Sequence, residues 1–182
     1  MDKQLFQNRY RVPTTRVKWH DYRCGIYFVT ICTSKGKCFL GNIVASSSIR
    51  EDAKMELSEL GKYVECKITD LPNHHENVEV PLWVVMPNHL HLIVVINDAE
   101  KDNVRDERNY SIISPQKQSL ASIMRGLKSA TTKYAHENEI EFAWQSRYYE
   151  HIVRNQDELN RIAEYIETNV AKWELDKMYV KL

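Results

Sequence analysis

The chain has 182 residues, 43% of them hydrophobic, which is enough for one well-buried domain over residues 1–182 and short for two. No apolar run approaches the ~20 residues that cross a bilayer, and residues 1–4 lack the charged-then-apolar pattern of a signal peptide, so a cytoplasmic protein without a membrane partner is expected. Its 25 basic and 25 acidic residues cancel, which excludes a strongly cationic nucleic-acid binder but not a local basic surface: Arg9, Arg11, Arg16 and Lys18 gather early, and Arg125, Lys128 and Lys133 share one later segment.

In chain order, residues 1–23 are polar and basic with scattered aromatics, and an extended arm is expected. Residues 26–33 (IYFVTICT) are rich in β-branched side chains and predict a strand; Lys35-Gly36-Lys37 turns it toward a second short strand over 38–44. From 51 to 68 the apolar positions Met55, Leu57, Leu60, Val64 and Ile68 fall near helical spacing, and Pro72 predicts the stop. Two β-rich runs, 78–86 and 89–96, joined by Pro87-Asn88, predict an antiparallel hairpin. Residues 97–116 carry charge without pattern and predict a flexible surface loop, long enough to suggest function. A helix is predicted over 119–138, with Leu120, Ile123, Met124, Leu127 and Tyr134 on one side. A strand follows over 148–154, then a helix over 158–169 capped by Asn155 or Asp157, then a tail packing as a short helix and a strand. The four cysteines show no C-x-x-C spacing, which argues against a zinc knuckle and for reduced thiols.

The core order strand, helix, strand, strand, helix, strand is that of an α+β protein. It is the ferredoxin-like split βαβ arrangement: an antiparallel sheet with helices on one face, and a late helix closing the other. His89 and His91, two apart in a strand, project from one face, close enough to share a metal ion. In the late helix Tyr165 and Asn169 are four apart and share one face. If that face meets the histidines, Asn169 supplies a third ligand, an oxygen, and Tyr165 places a hydroxyl beside the cation. Such a mixed nitrogen and oxygen set suits Mg²⁺ or Mn²⁺, with manganese the better match to two imidazoles. The plainer alternatives are two half-exposed strand histidines and a tyrosine packing its ring. Likewise Trp144 and Tyr148 suit either base stacking or, for Trp144 above all, core packing.

Met86-Pro87-Asn88-His89-Leu90-His91-Leu92 resembles the His-hydrophobe-His motif of single-tyrosine HUH transposases, in particular the REP-associated tyrosine transposases. Further similar segments are Asp21-Tyr22 with Tyr27–Thr33, Gly126-Leu127-Lys128-Ser129, Trp144–Arg154 and Tyr165-Ile166-Glu167-Thr168-Asn169, so the resemblance runs from about residue 22 to 176. It implies a metal-dependent single-stranded DNA endonuclease and strand transferase acting at hairpin or repeat ends. In that reading Tyr165 is the catalytic nucleophile that forms a 5′-phosphotyrosine link, and His89, His91 and Asn169 are the metal ligands. DNA contacts are expected from Arg11, Arg16, Lys18, Arg125, Lys128, Lys133, Arg147, Arg154 and Lys172, because strand cleavage needs phosphate neutralisation. A homodimer is also expected, since relatives are often dimers. One departure is Val170, where relatives commonly carry proline. Ile93 stands where a histidine-triad hydrolase needs a third histidine, and His91 where a two-histidine phosphoesterase needs Ser or Thr. The remaining alternative is a catalytically silent DNA-hairpin-binding protein derived from a transposase.

Overall fold

The β-branched run after Cys24 forms strand β1 (Gly25–Cys32) in the computed structural model, which describes residues 24–44, 53–97 and 119–180. The expected arm over 1–23, with Arg11, Arg16 and Lys18, and nearly all of the 97–116 loop lie outside the described residues. There follow β2 (Gly41–Val44), β3 (Lys54–Leu57), α1 (Glu59–His74), β4 (Val78–Met86), β5 (His89–Ile96), α2 (Leu120–Glu137), β6 (Tyr149–Ile152) and α3 (Gln156–Thr168). Four strands make one antiparallel sheet in the order β4-β5-β1-β6, while β2 and β3 pair separately as a two-stranded ribbon. With α1 and α2 as the crossovers, this is the split βαβ topology, and α+β is the class.

Strand β5 is buried along its whole length, because both faces of the sheet are covered. On one face Leu90, Leu92, Val94 and Ile96 join Tyr27, Val29 and Ile31 of β1 beneath α1 and α2. On the other, Ile93 and Val95 join Ile26 and the α3 residues Leu159, Ala163 and Ile166. Period-two alternation gives His89 and His91 the parity of Ile93, so they face the α3 side. Burial on both faces explains why β5 reads as a continuous apolar run rather than an alternating one.

The region 51–68 departs from the helical reading. Met55 and Leu57 belong to β3, whose residues alternate between exposed and half-buried and pair with β2. The helix begins only after Ser58, whose hydroxyl accepts the Gly61 N–H at 3.0 Å. It then runs through Pro72 to His74. A proline in the last turn removes a single ladder bond, so it is tolerated there and does not set the stop. In α3 it is Asn155 rather than Asp157 that caps, accepting the Glu158 N–H at 2.9 Å. The tail forms a 3₁₀ turn, Trp173–Leu175, with no strand among the described residues after it. None of the four cysteines is in a disulfide, and among the described residues no helix is long and apolar enough to cross a membrane.

Two glycines separate fit from freedom. A Cβ on Gly61 would stand 2.0 Å from the Leu40 carbonyl oxygen, a backbone atom that the Ser58 N–H already holds. Gly126 in α2 has open space around it. Gly61→Ala is therefore expected to destabilise the fold by about 1–3 kcal/mol or more. Gly126→Ala should be neutral or stabilise by up to about 1 kcal/mol through helix propensity. Urea midpoints of the two variants check this, and equal midpoints would show that the ribbon yields to let Gly61 grow.

Candidate functional site

Both histidines sit on the central strand opposite β1, His91 across from Thr30 and His89 across from Cys32. Their rings lie 4.5 Å apart between centroids. Each is oriented by a neighbour. His91 Nδ1 is 2.9 Å from the Thr30 hydroxyl, and Phe28 stacks on its ring at 5.2 Å. His89 Nδ1 is 2.8 Å from Asn88 Oδ1. The Asn88 amide donates to the Gly36 and Met178 carbonyls at 3.1 and 2.8 Å, so its oxygen is the acceptor and His89 Nδ1 carries the proton. His89 Nε2 is then a lone pair, buried and without a hydrogen-bond partner. That is the arrangement of a metal-binding imidazole, with the outer nitrogen fixed by a carboxamide oxygen.

Helix α3 brings the other two predicted residues to the same place. The Tyr165 hydroxyl is 3.0 Å from His91 Nε2 within one chain, and its ring meets Phe28 edge-on at 6.2 Å. Asn169, the C-cap of α3, is buried, and its Oδ1 is a second orphaned acceptor. Val170 in place of proline does not unseat it: helical turns continue beyond Thr168, with the Lys172 N–H donating to the Asn169 carbonyl at 3.2 Å.

Sequence reading missed Asp176. The tail folds back so that its Oδ2 accepts from the Tyr165 hydroxyl at 3.0 Å and from the Asn169 amide at 3.1 Å, while Oδ1 accepts the Met178 N–H at 2.7 Å. One ligand atom from each of His89, His91 and Asp176 lies within 4.8 Å of the others. Burial by itself would raise the Asp176 carboxyl. The Met178 N–H, the Asn169 amide, the nearby His89 and the Tyr165 hydroxyl outweigh burial and hold it below the usual carboxylate range. Asp176 lies beyond the end of the helical pattern, in a stretch with no periodicity to mark it. The Trp173 anchor, buried at 5.9 Å from His89, is what carries it in.

Burial pushes His89 down to about 4 and His91 down to about 3, the latter aided by its neighbour His89. Burial first, then the Asp176 carboxylate, pushes Tyr165 up to about 12. At neutral pH the site therefore holds two neutral imidazoles, a neutral phenol and one carboxylate. For a divalent cation the residues fit: an orphaned imidazole lone pair, an orphaned carboxamide oxygen, a second imidazole and an anionic oxygen converge. Acidification should expose the cost of those rings. From about pH 6.5 down toward 4 and then 3 the unfolded chain takes up imidazole protons that the folded chain refuses, so stability falls through that window and is unaffected above it. Urea midpoints between about pH 8 and about pH 4 check this: His91→Gln should flatten the decline, and an identical slope would show that the rings do not cause it.

The basic candidates divide by face. Arg125 and Lys133 are exposed on α2, across the sheet from the histidines, and Lys133 lies 3.7 Å from Glu137. Lys128 donates to the Gln145 and Ser146 carbonyls at 2.6 and 3.4 Å, which fixes the approach to β6. Arg147, Arg154 and Lys172 are exposed on the segments that flank β6 and α3. Trp144 and Tyr148 pack against the core beneath α1 and α2.

No family model matches the chain. A Haemophilus influenzae protein, itself uncharacterised, is 36% identical over 171 residues, 91% of either chain. Among solved structures, a REP-associated tyrosine transposase bound to a REP hairpin superposes at a TM-score of 0.53 with 18% identity, over 90% of this chain and 76% of that one.

Proposed function

We propose, for a chain that belongs to one family with the Haemophilus influenzae protein and has the fold of a REP-associated tyrosine transposase, a metal-dependent endonuclease and strand transferase acting on single-stranded DNA at hairpin or repeat ends. The fold is shared with that transposase; the transposase-like role and the tyrosine chemistry are both proposed. The single observation that carries it is the Tyr165 hydroxyl, 3.0 Å from His91 Nε2, whose ring lies 4.5 Å from that of His89 with its orphaned Nε2.

Tyr165 is the nucleophile. Its oxygen bonds to the phosphorus of a phosphodiester, the bond from phosphorus to the 3′ oxygen breaks, and the phenol proton ends on that oxygen, so the products are a 5′-phosphotyrosine and a free 3′-hydroxyl; attack by the 3′-hydroxyl of a strand end reverses the link and returns the proton. Before attack the phenol proton points at Asp176 Oδ2, which holds the hydroxyl in place. His89 and His91, with Asp176 and the Asn169 carboxamide, would hold Mg²⁺ or Mn²⁺, which when bound neutralises charge building on the phosphate oxygens. Thr30 and Asn88 fix the ring orientations. Asn88→Ala should weaken Mn²⁺ binding about ten- to a hundredfold by freeing the His89 ring, as calorimetry would report.

The test is to incubate the protein with a single-stranded hairpin oligonucleotide and Mn²⁺ and to look for a denaturant-resistant protein–DNA band. A band supports the transferase. A gel shift with no band in either Mg²⁺ or Mn²⁺ supports the silent hairpin-binding alternative.

A further inference from the structure

Few large apolar side chains are exposed among the described residues, and three of them are tyrosines: Tyr149 at 58%, Tyr165 at 41% and Tyr179 at 37%. They are not scattered. Starting at Tyr149 on the edge strand β6, an unbroken row of rings crosses the site: Phe28 at 6.4 Å, then His91 at 5.2 Å, His89 at 4.5 Å, Trp173 at 5.9 Å and finally Tyr179 at 5.5 Å. The interior members are buried or half-buried, and only the two ends face solvent. Tyr165 stands over the middle of the row, edge-on to Phe28 and 5.1 Å from the His91 ring.

The parity of β6 matters. Tyr149 pairs with Thr30 and His151 with Phe28, so both share the sheet face that carries the histidines, while Tyr148 points one step away into the other core. A solvated aromatic on the reactive side, one ring from the nucleophile, loses apolar hydration whenever a flat apolar ligand covers it.

We propose that Tyr149 and Tyr179 are stacking platforms for the unpaired bases on the two sides of the phosphodiester that Tyr165 attacks. This rests on the proposed strand chemistry and adds to it which residues seat the strand. Aromatic stacking suits the task because every base has a π face, so the platforms align the backbone over the imidazoles without reading sequence. Arg147 and Arg154, exposed on either side of β6, carry charge of the sign a passing backbone needs. Both tyrosines act as positioning residues, the phosphate being left to the histidines and Tyr165.

The experiment uses the full chain carrying Tyr165→Phe, so that no covalent capture occurs, and a hairpin oligonucleotide with unpaired thymidine flanks on both sides. 2-Aminopurine is placed at successive flank positions. The expected result is quenching at two separated positions, one lost in Tyr149→Ala and the other in Tyr179→Ala, with roughly ten- to hundredfold weaker binding for each. Tyr149→Trp and Tyr179→Trp should restore quenching, which a purely structural role would not do. Unchanged quenching in both alanine variants overturns the proposal, as does equal behaviour of the Ala and Trp variants. Should the original protein form no covalent band in any cation while quenching still follows Tyr149 and Tyr179, the transferase reading fails and the platforms stand.

Discussion

Tyr165→Phe is expected to leave hairpin DNA bound and to eliminate the covalent protein–DNA band, a loss on the order of a thousandfold or more in strand cleavage, since in the proposed mechanism its phenol oxygen is the atom that forms the link. The substitution removes one oxygen from a ring whose packing against Phe28 and His91 is unchanged, so folding should be unaffected. Gel shift and band formation measured on the same samples separate binding from chemistry. A band of undiminished intensity would move the nucleophile elsewhere in the chain. The protein alone does not activate the hydroxyl: burial and the Asp176 carboxylate push it up to about 12. Activity without added divalent cation is therefore expected to be negligible, and chelation should mimic the loss of the oxygen.

The second large effect concerns the proposed third ligand. Asn169 was expected from the sequence, and the structure sets Asp176 beside it, its amide donating to Asp176 Oδ2 at 3.1 Å. A carboxylate offers a full negative charge to a hard cation, whereas a carboxamide offers a dipole. Asp176→Asn should accordingly weaken Mn²⁺ binding on the order of a hundredfold, and Asn169→Ala on the order of tenfold, as read by calorimetric titration. The reverse order would give the ligand role to Asn169 and leave Asp176 to orient the phenol. Asp176→Asn should also lower Tyr165 toward its ordinary value, because it removes the second largest cause of its elevation; ultraviolet titration of the phenol checks that independently.

Much of this was legible because it is periodic. The hairpin of β4 and β5 falls where its β-branched runs and Pro-Asn turn put it, and the i, i+4 spacing brings Tyr165 and Asn169 to one helix face. The side of the sheet follows from counting twos along β5. What escaped has no period. Met55 and Leu57 fit both a strand and a helix, and pairing with β2, a contact distant in sequence, decides for the strand. Asp176 reaches the site through a turn anchored by the bulk of Trp173 and by the Asn88 amide, which holds the Met178 carbonyl at 2.8 Å. Tyr149 and Tyr148 are neighbours with opposite surroundings, and only the register against β1 tells which meets the histidine side.

The donors differ in how firmly they are held. His89 and His91 ride the strand with a partner along each edge and a layer over each face, the kind of segment whose local opening free energy approaches that of global unfolding. Asp176 comes from a short turn near the end of the described chain, the kind of segment that opens at far lower cost. Slow amide exchange in β5 beside fast exchange around Asp176 would make the centre a fixed pair of nitrogens served by an oxygen that can withdraw and return without disturbing them.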